Sequence, residues 1–248
     1  MVVDSDLNLR LLVGMPININ NLGTVYPLKL KEIIALGEHV YNELLSVLLI
    51  DKKNIEGLKE EEFSNLEILM VYSYQNIEFR EKALSSLKLF LNNEFFMSNE
   101  GFFYCRKLIS DNYGLFVYKN LILNKEPFDD FQYILKLANH IENKKEEDII
   151  PGNERARKFM EKLKLSKQNI KKPETMNLHS IISGIAWKSN NINIINIFDL
   201  TIYQLYDAYH RLENIDNYHY TLSGLYAGTV DSKNINLSKI TWTKIIKN

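Results

Sequence analysis

His210 stands three residues after Asp207 and three before Glu213 in the stretch DAYHRLEN. On a helix that spacing puts all three on one face, and an imidazole between two carboxylates is a donor set a divalent metal accepts. Metal-binding helices more often carry His-x-x-x-His, or Glu-x-x-His with a second such pair elsewhere, and the chain has no partner cluster of that kind. A solvated, salt-bridged helix face explains the same residues and is the preferred reading. His39, His140, His179 and His219 are scattered and make no triad or zinc spacing. Ser180 follows His179 but lacks the strand-turn-helix context of a nucleophile elbow.

A second candidate is SGLYAGTVDSKNINLSKITW, residues 223–242. A phosphate-cradling loop needs Gly-x-x-x-x-Gly-Lys-Ser/Thr between a strand and a helix, so that backbone amides point at the phosphate. Gly224 and Gly228 are four apart, Thr229 has no lysine before it, and the preceding residues are helical in period. A helix closed by a positive-φ Gly228 accounts for the pattern without a ligand. The carboxylates at Asp129-Asp130, in EEE at 60–62 and in KKEED at 144–148 are adjacent members of charged runs, which read as solvated faces and not as an acid/base pair. Cys105, the single cysteine, lies in apolar GFFYCRKL and reads as a buried thiol; it also rules out an intramolecular disulfide. No catalytic, metal or cofactor site emerges, and the chain reads as a non-enzyme.

Aromatic residues are the remaining candidates. The 14 Tyr, 12 Phe and 2 Trp cluster in NEFFMSNEGFFYCR and along YQLYDAYHRLENIDNYHYTLSGLY, interleaved with Asp, Glu and Asn instead of basic residues. That neighbourhood does not suit nucleobase stacking. Tyrosine with an apolar body and polar tip suits half-buried helices and protein interfaces. Tyr26, Tyr203 and Tyr206 are the candidate partner interface.

These residues need elements to hold them. The first 27 residues read as extended: LNLRLLV alternates, and Asn-Asn-Leu-Gly separates two short β-prone runs as a hairpin, with Gly23 at positive φ. Pro27 then opens a long amphipathic helix over LKLKEIIALGEHVYNELLSVLLI, with Gly37 inside it. Two more helical patterns follow, one on Leu66, Leu69, Met70 and Tyr74, the other on Phe79, Ala83, Leu84, Leu87 and Phe90. The period then changes, and Ser-Asn-Glu-Gly between two aromatic runs predicts a β-hairpin at about 94–106. Residues 111–141 return to helical spacing, with Pro127 as a start signal. Residues 143–175 are highly charged and broken by Pro151-Gly152 and Pro173, a connector that is partly helical in ERARKFMEKLKL. Another helix follows in TMNLHSIISGIAWK, and Asp199 is expected to cap a last one, through 199–225, with Ile202, Leu205, Tyr209, Leu212 and Ile215 on one stripe.

The 248 residues suffice for a substantial core, and 46% hydrophobic against 25% charged residues is ordinary globular composition. Thirty basic against 31 acidic residues leave a net charge of −1, which argues against nucleic-acid binding as the main role. The N-terminus lacks a secretion-signal pattern and no window nears 18 uncharged apolar residues, so a cytoplasmic protein without a membrane partner is expected.

Two stretches together carry a family likeness. One is GMPININNLGTVYPLKLKEIIALGEHVYNELLSVLL, with Val25-Tyr26-Pro27, Leu30, Glu32-Ile33 and Gly37-Glu38 ahead of Tyr41. The other is the closing helix and the segment after it, with Ala227, Gly228, Val230, Asp231, Lys233, Ile235, Leu237 and Trp242. In these the chain resembles a group of morphogenesis proteins from tailed bacteriophages and prophages of low-GC Gram-positive bacteria. The likeness spans about the first 50 and the last 70 residues. It implies a tail-related role without catalysis, that of a tail assembly chaperone in the host cytoplasm. Such a protein keeps tape-measure or tail-tube subunits soluble until they polymerise. A tail or baseplate subunit retained in the virion is the alternative, and a hydrolase or nuclease the reading from a different class.

The expected fold is α+β and predominantly α-helical, with an N-terminal β segment or hairpin and a central β-hairpin packed on helices. Three sections are expected, 1–142, the connector 143–175, and 176–248 with Val230, Ile235, Leu237 and Trp242 docking the tail, or else one compact domain overall.

Overall fold

A computed structural model describes residues 4–55, 63–110, 116–141, 176–231, 233 and 235–246. The connector expected at 143–175 lies outside the described residues. The class is the expected one: helices dominate, and the two sheets are small and antiparallel.

The chain begins with a helix, α1 (Asp4–Val13), where extended structure was expected. Leu7 and Leu11 are buried and Leu9 is exposed. A spacing of four fits one face of a strand and one face of a helix equally well, so the alternation is ambiguous. Packing on the last long helix settles it, with an Asp6–Arg10 pair one turn apart on the outer face. The hairpin expected next is present, β1 (Ile17–Ile19) against β2 (Gly23–Val25), with Asn21 left-handed and Gly23 at positive φ.

The long helix expected from Leu28 is two helices, α2 (Leu30–Leu36) and α3 (Glu38–Leu48). Gly37 separates them at φ +95°, a conformation L side chains rarely adopt. Its N–H donates to the Ile33 carbonyl at 2.9 Å, closing α2 before α3 starts. Pro27 does not sit in the first turn; Lys29 caps α2 and its N–H donates to Glu32 Oε2 at 2.7 Å.

The next two helices, α4 (Asn65–Gln75) and α5 (Ile77–Leu91), are capped by Ser64 and Asn76. α5 follows its predicted stripe, while on α4 Leu66 and Leu69 are buried as expected but Tyr74 is exposed and Ile68 and Ser73 are buried in its place. Ser64 and Glu67 form a reciprocal capping box, and hydrogen bonds from Ser64 hold the Glu67 carboxyl below the usual carboxylate range.

The central hairpin is β3 (Phe95–Met97) with β4 (Phe103–Ser110), in register Phe95 to Cys105, and Cys105 is buried. Its sheet has a third strand that the sequence reading missed. Residues Phe116–Ile122 form β5 along β4, although 111–141 were expected to be helical. Tyr118, Leu121 and Ile122 fall three and four apart, as on a helix, yet pairing with the open edge of β4 takes precedence over local period. The predicted helix starts after it as α6 (Lys125–Ala138).

Two helices complete the fold, α7 (Leu178–Lys188) and α8 (Ile202–Tyr226), followed by the single turn α9 (Leu237–Ile240). A backbone bridge between Lys29 and Thr201, with Leu30 N–H donating to the Leu200 carbonyl at 2.8 Å, ties the start of α2 to the start of α8. Buried side chains from α1 through α8 form one cluster, with Phe90, Phe103, Phe128 and Phe131 among its largest members.

Candidate functional site

The start of α8 is set by Thr201, not by Asp199 as expected. Thr201 Oγ1 accepts from Gln204 N–H, and Gln204 Oε1 accepts from Thr201 N–H at 2.8 Å, a reciprocal capping box. Asp199 lies in the short turn before it and pairs with Lys31 at 2.7 Å. The hydrogen bond from Lys31 and its charge hold the Asp199 carboxyl below the usual range.

Only the first turns of α8 enter the core, through Ile202, Tyr203 and Leu205. Further along, Tyr206, Tyr209 and Leu212 are half-buried against it. The distal turns lie open, with Tyr220 75% and Tyr226 86% exposed. Beside α8, Trp187 at the end of α7 is 81% exposed, and near the chain end Ile245 is 87% exposed. These are among the most exposed large apolar side chains of the described residues. Between α7 and α8 runs a groove of about 290 Å³ with Ile181, Gly184, Ile185, Tyr209 and Leu212 along it. Its rim carries Glu213 and a Lys188–Asp216 ion pair.

The three candidate tyrosines are not equivalent. Tyr26 is 42% exposed, and its N–H donates to the Phe90 carbonyl at 3.1 Å. Tyr203 is 7% exposed and packed in the core, so its ring is not a contact surface for a partner, which corrects that part of the expectation. Tyr206 is half-buried and stacks on His140, with ring centroids 4.9 Å apart. Burial, and the Glu38 charge nearby, push its hydroxyl above the usual phenol range.

Of the residues first considered for metal or acid/base chemistry, His210 and Glu213 stay together, while Asp207 and Asp231 do not join them as ligands. Asp207 borders a cleft with Asn8, His140 and Arg211, His210 borders another with Asn214 and Lys244, and Glu213 borders the α7–α8 groove. Asp231 lies beyond the end of α8. Among the described residues no three His, Cys, Asp or Glu side chains converge as ligands. His210 instead meets a residue no local spacing connects to it: its Nε2 lies 3.0 Å from Nε2 of His140, which follows α6 in a left-handed conformation. Glu213 Oε2 is 3.7 Å from the other nitrogen, Nδ1, of His210.

The glycine-rich stretch is a helix stop. Gly228 takes φ +68° just past α8. The amides that would have to face a phosphate point back into the helix end: Gly228 N–H donates to Leu225 at 3.1 Å, and Thr229 N–H to Gly224 at 3.0 Å. The tail then returns along α8, where Arg211 Nη1 donates to the carbonyls of Trp242 at 2.7 Å and Lys244 at 3.0 Å. Of the four side chains expected to dock, Val230 lies against Gly224 of α8 and Ile235 is half-buried, while Leu237 and Trp242 stay exposed.

Trp187 had a signal in the sequence, since it falls opposite Ile181, Ile182 and Ile185 on α7, whereas Tyr220 and Tyr226 continue the apolar stripe of α8 and nothing in the local pattern marks them as exposed. His140 had none, being 70 residues from His210.

This arrangement defines a mostly helical α+β protein with several exposed aromatic side chains on its C-terminal helices. Residues 169–247, which include α7, α8 and the tail, match the family model of the YomV second domain. That family is associated with phages and prophages, and the match supports a phage-associated protein. No curated protein and no solved structure matches the chain. Among the described residues no helix is long and apolar enough to cross a membrane.

Proposed function

We propose that the chain is a non-enzymatic phage protein that acts through protein–protein contacts in tail morphogenesis, as a tail assembly chaperone in the host cytoplasm. The observation that carries this reading is the exposure of Trp187, Tyr220 and Tyr226 on the segment similar to the phage-associated family. Aromatic side chains supply most of the binding energy at protein interfaces, and a few of them suffice to hold an apolar partner. A chaperone that covers tape-measure or tail-tube subunits before polymerisation needs such exposed aromatic groups on a soluble body, here one whose net charge is close to zero.

The test is co-expression with the tape-measure or tail-tube protein of the same phage, comparing the native chain with Trp187→Ser, Tyr220→Ser and Tyr226→Ser combined. Capture of the tail protein is expected to fall by at least about tenfold, with the melting temperature nearly unchanged because the replaced side chains are outside the core. Undiminished capture by the triple variant would remove this surface from the account.

A further inference from the structure

We propose that His140 and His210 form a two-imidazole binding site for a borderline divalent cation of the zinc class. The two Nε2 atoms face each other at 3.0 Å, one ring donating a hydrogen bond and the other accepting. The same convergence is close to the bite of a tetrahedral metal. Two nitrogens at about 2.05 Å from zinc lie about 3.3 Å apart, so the rings need to part by only about 0.3 Å.

Both rings are held in place. His140 is stacked on Tyr206 at a 15° interplanar angle, and His210 meets Tyr209 edge-on at 5.1 Å. With His210 as the donating ring, its proton moves from Nε2 to Nδ1 beside the Glu213 carboxylate when the ion enters, so that both Nε2 lone pairs face the metal. A neutral pair neither gains nor loses a proton overall. The Nδ1–H of His210 then faces the Glu213 carboxylate, 3.7 Å away, the outer carboxylate that commonly orients a metal-bound imidazole. Clefts of about 370 Å³ adjoin each ring and leave space for water as the remaining ligands. Asp207 and Arg211 border the His140 cleft, and Lys244 borders both. Arg211 donates to tail carbonyls. Paired imidazoles favour zinc, nickel or copper over magnesium or calcium, which prefer oxygen. Bound metal joins the end of α6 to α8 across 70 residues of sequence.

The experiment titrates ZnCl2 into the full chain, freed of metal with a chelator, by calorimetry. One saturable site per chain is expected, with no matching response to MgCl2. His140→Gln and His210→Gln should each weaken zinc at least about tenfold, Glu213→Gln should weaken it less, and His179→Gln, on an exposed ring, should leave it intact. On the unmutated chain, substoichiometric CoCl2 should selectively broaden the ring proton signals of two of the five histidines. Equal zinc affinity in the His140 and His210 variants, or cobalt broadening that spares both rings or affects all five alike, overturns the proposal.

Discussion

Tyr203→Ala is expected to destabilise the chain by about 3–5 kcal/mol, in the range for removing a large aromatic side chain from a core. The ring is almost wholly buried in the first turn of α8, and its hydroxyl donates to Asn8 Oδ1 on α1 at 3.2 Å. One turn-length of contact there also has Gln204 Nε2 donating to the Leu12 carbonyl at 2.9 Å, so the substitution loosens the seam between the two ends of the chain. Urea denaturation checks it: the midpoint should fall with little change in slope. Capture of a tail protein per folded molecule should be preserved, unlike in the Trp187, Tyr220 and Tyr226 variant. Loss of capture at unchanged stability would return Tyr203 to the interface.

Gln132→Leu is expected to cost about 2–4 kcal/mol, because it removes hydrogen bonds without removing the groups that need them. Gln132 is buried on α6 among Phe128, Phe131 and Leu135. Its Nε2 donates to the Leu48 carbonyl at 2.7 Å and the Ile50 carbonyl at 3.0 Å, and its Oε1 accepts from Asn65 Nδ2 at 2.9 Å. One side chain therefore satisfies the end of α3 and fixes the start of α4. Leucine keeps nearly the same volume, so a loss of this size in the same denaturation assay measures the stranded polar groups and not a cavity. A loss below about 1 kcal/mol would mean that water or a shifted neighbour replaces the amide.

Several elements were legible in the sequence because local period and tertiary packing agree there. The stripe of α5, the Asn-Asn-Leu-Gly and Ser-Asn-Glu-Gly turns, and the stop at Gly228 all fall in this class. Where local period and packing diverge, sequence reading failed. Leu7 and Leu11 satisfy two periods at once, and only contact with α8 selects the helix. The spacing in β5 is helical, but β4 offers it an edge. Asp199 and Thr201 are both good caps, and Lys31, distant in sequence, takes Asp199. Tyr203 and Tyr220 lie on one helix with similar neighbours, and burial separates them only because α8 extends beyond the body. The imidazole pair is long-range by nature, since nothing near His140 in sequence points to His210.

In the proposed role the chain handles tail subunits without becoming part of the tail. Quantitative mass spectrometry of infected cells, comparing purified particles with the soluble fraction, tests it most directly. The chain is expected to be missing from particles and to co-purify from the soluble fraction with tape-measure or tail-tube protein. Its presence in particles at a fixed copy number would contradict that role and establish a virion subunit instead.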